Sequence, residues 1–417
     1  MVAAVNSQTA ATVPEAARRS GPEPLPRAAN IVLALVVIAV GVAQGFGRFT
    51  YPLVLPAIDR DLLHSYSLAG WLGTANLAAY LVGTLLVSLA ATKICSARLI
   101  QLGLVVSTLG LAWLIVASSA AALLGGMVAT GIAGAFIWIP APGLAGSFVS
   151  EERRGFAIGL MASGIGIAVS YASQLTRFVR VHVGENAWRE VWAVETALAA
   201  VATILAVLWL REPENDGDSE TAPFTLREIL TLTSLRAVPG WIAVTAAYAG
   251  YGLCYSIYSS YLVAALEADG GFSATHASAD FALVGISIAA GGILLGKLSD
   301  RIGRRPTLAW GFVVMGSCPL LVLTGSEPWV GISASLFGIT MSGLGSVVAA
   351  YVRDHTTEGS FAPAFAAITL FFGVAQLIGP ELGGFIAEHS GTFTPAFFVS
   401  AFAGFSGAAA AAALPRS

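Results

Sequence analysis

Charge is scarce in this chain. Charged residues make up 11% of its 417 positions, against about 25% in soluble domains, and a soluble domain of useful size does not fit that composition. Cysteine is nearly absent: Cys95, Cys254 and Cys318 are too scattered for a disulfide framework or a metal cluster. The five histidines, His64, His182, His276, His355 and His389, lie in or near expected loops without a metal-binding spacing such as H-E-x-x-H. No nucleophile, metal set or catalytic carboxylate pair stands out, so neither an enzyme nor a cofactor is expected. Residues 1–28 hold no apolar core ahead of a cleavage site and do not read as a secretory signal. They read as a disordered cytoplasmic tail.

Apolar sequence is what the chain has in abundance, with 56% hydrophobic residues and 46 glycines. Twelve strongly apolar runs follow one another at 30–56, 68–92, 98–117, 121–148, 156–178, 190–210, 237–264, 278–298, 306–324, 329–352, 362–387 and 393–414. A hydrocarbon layer about 30 Å thick takes about 20 apolar residues per helical crossing, so the expectation is an all-α integral membrane protein with twelve transmembrane helices. The long polar stretch falls after the sixth run. It divides the chain into a six-helix bundle over 29–210, a linker over 211–236 and a second six-helix bundle over 237–417. With both termini inside, sixteen of the 21 Lys and Arg fall on the cytoplasmic side and four, Arg60, Arg177, Arg180 and Arg189, outside, with Arg48 left within a helix. This asymmetry supports an even number of spans with both termini cytoplasmic; an odd count would spoil it. Two six-helix halves rocking about a central site make an alternating-access machine, and movement of a small solute is the leading reading.

Laying the first half on the second with an offset of 205 places Gly45-Phe46-Gly47 on Gly250-Tyr251-Gly252, a short match that points to duplication of a six-helix unit. Within the linker, Thr225 and Glu228 have the T-x-x-E form of a capping box. Leu226, Ile229, Leu230 and Leu235 then form an apolar stripe opposite Arg227 and Arg236, as in a helix lying at the membrane interface; a plain linker is the alternative.

Arg48 is the leading site candidate. An arginine at the centre of a hydrophobic helix costs about 2.5–3.5 kcal/mol on insertion scales, so it must face a cavity or a partner. Gln44 and Tyr51, at i−4 and i+3, share its face on a regular helix. This face is expected to line a solute path in which Arg48 holds a carboxylate or another anion through its two-pronged donor geometry; a structural salt bridge or snorkelling to the headgroups is the alternative. The seventh run carries Tyr248, Tyr251, Tyr255, Tyr258 and Tyr261 at spacings of three and four. Phenols facing lipid would lack partners, so a water-lined cavity is expected, with core packing as the alternative. Gln174 in the fifth run and Gln376 in the eleventh add polar groups of the same kind.

Proton coupling would need a titratable group. Glu381, after Pro380 in a G-x-x-x-G packing motif, and Glu195, near the outer end of the sixth helix, are the candidates; Asp280 reads as the opening of the eighth helix, favouring its N-terminus. Gly291 to Lys297 spells G-x-x-x-x-G-K, but Leu298 replaces the magnesium-holding Ser or Thr and the stretch lies in a membrane helix, so no nucleotide site is expected.

The string Gly296-Lys297-Leu298-Ser299-Asp300-Arg301-Ile302-Gly303-Arg304-Arg305-Pro306 resembles the G-x-x-x-D-R-x-G-R-R signature loop of the major facilitator superfamily (MFS). Gly45-Phe46-Gly47-Arg48-Phe49-Thr50-Tyr51-Pro52, with Gly134 to Pro142 in the fourth helix, is similar to the YbfB/YjiJ-type branch. The resemblance implies the MFS fold, two pseudo-symmetric six-helix bundles. It also implies a gating loop in which Gly296, Asp300, Arg301, Gly303 and Arg304 latch the cytoplasmic side. The first-half loop departs from the pattern, with Cys95 where Asp300 stands. The expected protein is a secondary transporter of the inner (plasma) membrane, multi-pass and monomeric. It takes a small organic anion as preferred substrate, binds lipid and neither nucleic acid nor nucleotide, and has Arg48, Gln44, Tyr51, Tyr251, Tyr255, Tyr258, Gln174 and Gln376 on the solute. Export of amphipathic or aromatic compounds is one alternative; a non-transporting membrane sensor is another.

Overall fold

The computed structural model describes residues 27–91, 93–212 and 232–415. Twelve long helices follow in order: α1 Ala29–Leu63, α2 Tyr66–Ala90, α3 Ser96–Val116, α4 Ala120–Ser147, α5 Glu151–His182, α6 Trp188–Trp209, α7 Trp241–Ala268, α8 Ala274–Ile302, α9 Arg304–Val322, α10 Glu327–Asp354, α11 Glu358–Ser390 and α12 Thr394–Ala412. Eleven are both long and apolar enough to cross a membrane. The exception is α7, whose 28 residues suffice in length but whose five tyrosines lower its hydropathy; all five are buried. Large side chains such as Leu109, Trp113 and Phe402 are exposed on the outside, as lipid-facing surfaces require. The described part of the linker includes one helical turn, Thr233–Arg236, where Leu235 is buried and Arg236 lies over the Trp241 ring. Residues 1–26 of the expected tail, and the capping box and stripe at Thr225 to Leu230, lie outside the described residues; Arg27 and Ala28, expected in the tail, already belong to the first helix.

Irregular backbone falls where proline or glycine dictates it. In α1 a nine-residue π-helix, Gly41–Phe49, interrupts the α-helical register. Glycines let it press on α5: a Cβ on Gly45 would overlap that of Ala168, and one on Gly41 would stand 3.2 Å from it. Pro52 has no N–H to offer the preceding turn, and Gly47 O is met by Asn76 Nδ2 of α2 at 3.3 Å. The helix continues to Leu63, so Arg60, expected in a loop, sits in a final π turn. In α4, Pro140 and Pro142 break the helix between Trp138 and Ala141. Asp280 does not open α8, which begins two turns earlier at Ala274.

Each half packs α1 or α7 among its neighbours, and the halves meet along α5 with α8 and α2 with α11. Along the first seam, Gly166 fits against Gly285, and Ser170 Oγ lies 3.3 Å from Ala282 O. Along the second, Thr74 Oγ1 donates to Leu377 O at 2.9 Å, and Gly70 and Gly73 fit against Pro380. Both seams are tight on the face opposite the basic loops. On the basic face they part: nothing lies within 4 Å of where a Cβ would stand on Gly155, Gly159 or Gly296. No neighbouring helix approaches Gly296 closely in this conformation. The glycine repeat also needs adjusting. Gly45 packs on α5, and the α7 glycine that packs on α11, the counterpart of α5, is Gly252 rather than Gly250.

Candidate functional site

Between the two halves, where the seams close, lies a cavity of about 40 Å³, room for a few waters. Its wall comes from both bundles, with Arg48, Tyr51, Asn76, Tyr255, Ser256 and Ser259 among the polar lining. The π-helix turns Arg48 toward α7, its guanidinium 5.6 Å from the Tyr255 ring centre and 6.0 Å from that of Phe49, the outer range of a cation–π contact. No carboxylate of the described residues pairs with it. The salt-bridge alternative for Arg48 thus lacks its partner. Tyr51 donates to Ala69 O at 2.8 Å, which fixes its ring in the wall.

Other expected site residues lie elsewhere. Gln44 is buried in the π-helix and Gln376 at the contact of α11 with α7; neither is in the cavity wall. Tyr251 donates to Met341 O at 2.6 Å and stacks on Phe372, behind Tyr255. Tyr258 points into its own bundle, 2.7 Å from Ser333 Oγ and stacked on Phe337: for this tyrosine core packing holds, because spacings of three and four spread five residues over a wider arc than one cavity. Gln174 is exposed beside Tyr171 and Arg177 on the outer flank of α5, away from the central cavity. Glu381 is half-buried at the α2–α11 seam, beside Gly70.

In the signature loop Arg304 gathers the polar groups. Its Nη1 donates to Asp300 Oδ1 at 2.5 Å and Ser299 Oγ at 2.8 Å, and its Nε to Asp354 Oδ2 at 2.9 Å. Gly303, with φ +94°, makes the turn that brings these groups together, a conformation L side chains rarely adopt. All these contacts lie within the second half. Arg301 is exposed.

Two features, Asn76 and the Arg180–Glu267 pair, escape the sequence reading, and for Glu195 the sequence holds the proton candidate but not its burial. Asn76 Nδ2 also donates to Met127 O at 2.8 Å and Thr130 Oγ1 at 3.1 Å; a lone asparagine in an apolar helix was its signal. Glu195, expected near the end of α6, is fully buried, with its Oε1 accepting from Thr50 Oγ1 at 2.6 Å. On the face opposite the basic loops, Arg180 of α5 donates twice to Glu267 of α7, at 2.5 and 2.9 Å, and Arg60 Nη1 reaches the same carboxylate at 3.3 Å. This ion cluster ties one half to the other beyond the cavity.

The sequence model of one family, described as the uncharacterised MFS-type transporter YbfB, matches residues 40–412. Monocarboxylate transporter 13 of Rattus norvegicus is 22% identical over 87% of this chain and 82% of its own length. The class E tetracycline resistance protein of Escherichia coli is 34% identical, but over 27% of each chain, so the chain spans about a quarter of that relative's length. Among solved structures, a bacterial homologue of the human lysosomal transporter Spinster, in an inward-facing and unoccupied conformation, aligns with a TM-score of 0.72 at 16% identity, covering 94% of this chain and 95% of that one. The nucleoside transporter NupG aligns with a TM-score of 0.74 at 12% identity, over 91% and 98%.

Proposed function

The chain belongs to the major facilitator superfamily, in the family of the uncharacterised MFS-type transporter YbfB, and on that premise we propose that this secondary transporter carries a small organic anion, gripped by Arg48. One observation carries the reading: a guanidinium with no carboxylate partner among the described residues faces a cavity walled by both halves. A charge so placed is stabilised when an anion enters and accepts its two parallel N–H groups. Asn76, Tyr255, Ser256 and Ser259 supply further polar contacts. The resemblance, over 87% of this chain, to a monocarboxylate transporter supports the same substrate class. With the basic loops taken as cytoplasmic by the positive-inside rule, the termini lie inside the cell membrane's cytoplasmic face. The conformation, tight opposite those loops and parted beside them, is then inward-facing.

The test is thermal stabilisation of the purified protein across lactate, benzoate, neutral sugars and aromatic amphiphiles. A ligand at about one hundred times its Kd adds about 2.7 kcal/mol to the folded state. Stabilisation by a carboxylate that disappears in Arg48→Gln supports the reading. A second reading, export of aromatic amphiphiles, draws on the stack of Tyr248, Tyr251, Tyr255 and Phe372 beside the cavity. Stabilisation by neutral aromatics alone, equal in both proteins, would favour it.

A further inference from the structure

We propose that Glu195 is the proton-binding site of this transporter, and that the Thr50 hydroxyl relays its charge state to the π-helical turn carrying Arg48. The inference rests on the transport reading above and names its coupling group. Glu195 has no exposed surface. One carboxyl oxygen meets Thr50 Oγ1 at 2.6 Å; the other, Oε2, is buried with no hydrogen-bond partner among the described residues. No cation faces it. Thr50 is the group that α1 presents, Arg48 two residues earlier lying in the cavity wall. From α5 the titratable neighbour is Tyr171, while Arg180 is held by Glu267 and Arg177 lies on the exposed flank. The one charged residue of α3 is Arg98, at its far end, and on α6 itself Arg189 and Glu190 stand in the first turn. An ion pair is therefore not what keeps this carboxyl in place.

The relay follows from counting hydrogens. Thr50 Oγ1 lies 3.4 Å from Gly45 O as well as 2.6 Å from Glu195, and a hydroxyl has one proton to give. With the carboxylate ionised, Thr50 donates to Glu195, and Gly45 O keeps only the backbone N–H of Thr50. When a proton from water binds the carboxylate, the carboxyl donates to Thr50 Oγ1, and the Thr50 proton turns to Gly45 O. Loss of that proton to water reverses the sequence. Gly45 and Thr50 close the π turn in which Arg48 stands, so protonation adds a second bond across the turn that aims the guanidinium. A sequence-regular α-helix would not place the acceptor there, since the extra residue per turn of a π-helix is what sets Thr50 against Gly45.

The experiment uses the full chain in lipid nanodiscs. Infrared difference spectra across a pH titration report protonated carboxyl groups directly, and thermal stabilisation by benzoate over the same range reports the Arg48 pocket. The wild type is expected to show a carboxyl band that titrates and a benzoate affinity that changes about tenfold with pH. Glu195→Gln removes the band and leaves affinity pH-independent, near the acid value, because its amide donates to Thr50 as the carboxyl would. Thr50→Val keeps a titrating band, shifted by loss of its hydrogen bond, and flattens the affinity profile. A titrating band that persists unchanged in Glu195→Gln overturns the assignment, as does a benzoate profile that stays pH-dependent in both variants. If benzoate binds neither protein at any pH, the anion reading fails, and the infrared band alone decides the proton site.

Discussion

Glu267→Gln should turn the protein outward. The Glu267 and Arg180 side chains are 8% and 2% exposed, and they join α7 of one half to α5 of the other only while the outer ends touch. Removing one partner of a buried ion pair costs about 3–5 kcal/mol, because the other charge stays buried and unmatched. Arg60, 44% exposed at its side chain, brings water to the edge of the cluster, so the lower end of about 3 kcal/mol is expected. In the outward-open state both groups are hydrated and the substitution is nearly neutral. The difference therefore falls on the closed state and shifts the ratio of states about a hundredfold toward opening outside. Spin labels at Glu185→Cys and Ala268→Cys, in exposed positions on the two halves, measure it by electron–electron distance. Cys95, which is exposed, is replaced by Ser, while Cys254 and Cys318 are buried and remain. A longer distance should dominate in Glu267→Gln, and the swap Arg180→Glu with Glu267→Arg should restore the short one. An unchanged distribution in the single variant would refute the argument that this pair holds the outer side shut.

The basic face gives the complementary test. The register Gly166 to Gly285, continued antiparallel, sets Gly155 opposite Gly296, so the pair Gly155→Cys and Gly296→Cys should cross-link poorly in wild type and readily in the Glu267→Gln background. Asn76→Leu removes the side-chain donor from Gly47 O and one of two side-chain donors from Met127 O, which keeps Thr130 Oγ1, and should lower stability by about 2 kcal/mol in thermal unfolding. Gly45→Ala, which in an open helix would stabilise, should here destabilise by about 1–3 kcal/mol, because its Cβ overlaps that of Ala168; Ala168→Gly should rescue it.

The helices were legible because each apolar run carries its own length requirement, and Arg48 because a charge in such a run needs a reason. The π-helix was not, since residues that bond five apart look on paper like residues that bond four apart. For the same reason Gln44 could be given the Arg48 face and then be found outside the cavity wall. Tyr258 and Gln174 show the limit of polar residues counted along one helix: which of them meets water depends on neighbours 75 or more residues away, such as Ser333 for Tyr258. The sequence places Glu195 near the end of α6, but its partner is Thr50, 145 residues earlier. Arg180 entered the sequence reading only as a topology charge, and nothing local tied it to Glu267.

The tyrosines of α7 bear on how the protein is made. A segment less apolar than the other eleven helices gains less from entering lipid alone, where each phenol would be without a partner. Three of its five hydroxyls, those of Tyr251, Tyr258 and Tyr261, find acceptors on α10 at Met341 and Ser333 and on α11 at Pro380, all synthesised later. The seventh helix is therefore expected to settle only with its successors, so that the second half is assembled as a set rather than one helix at a time.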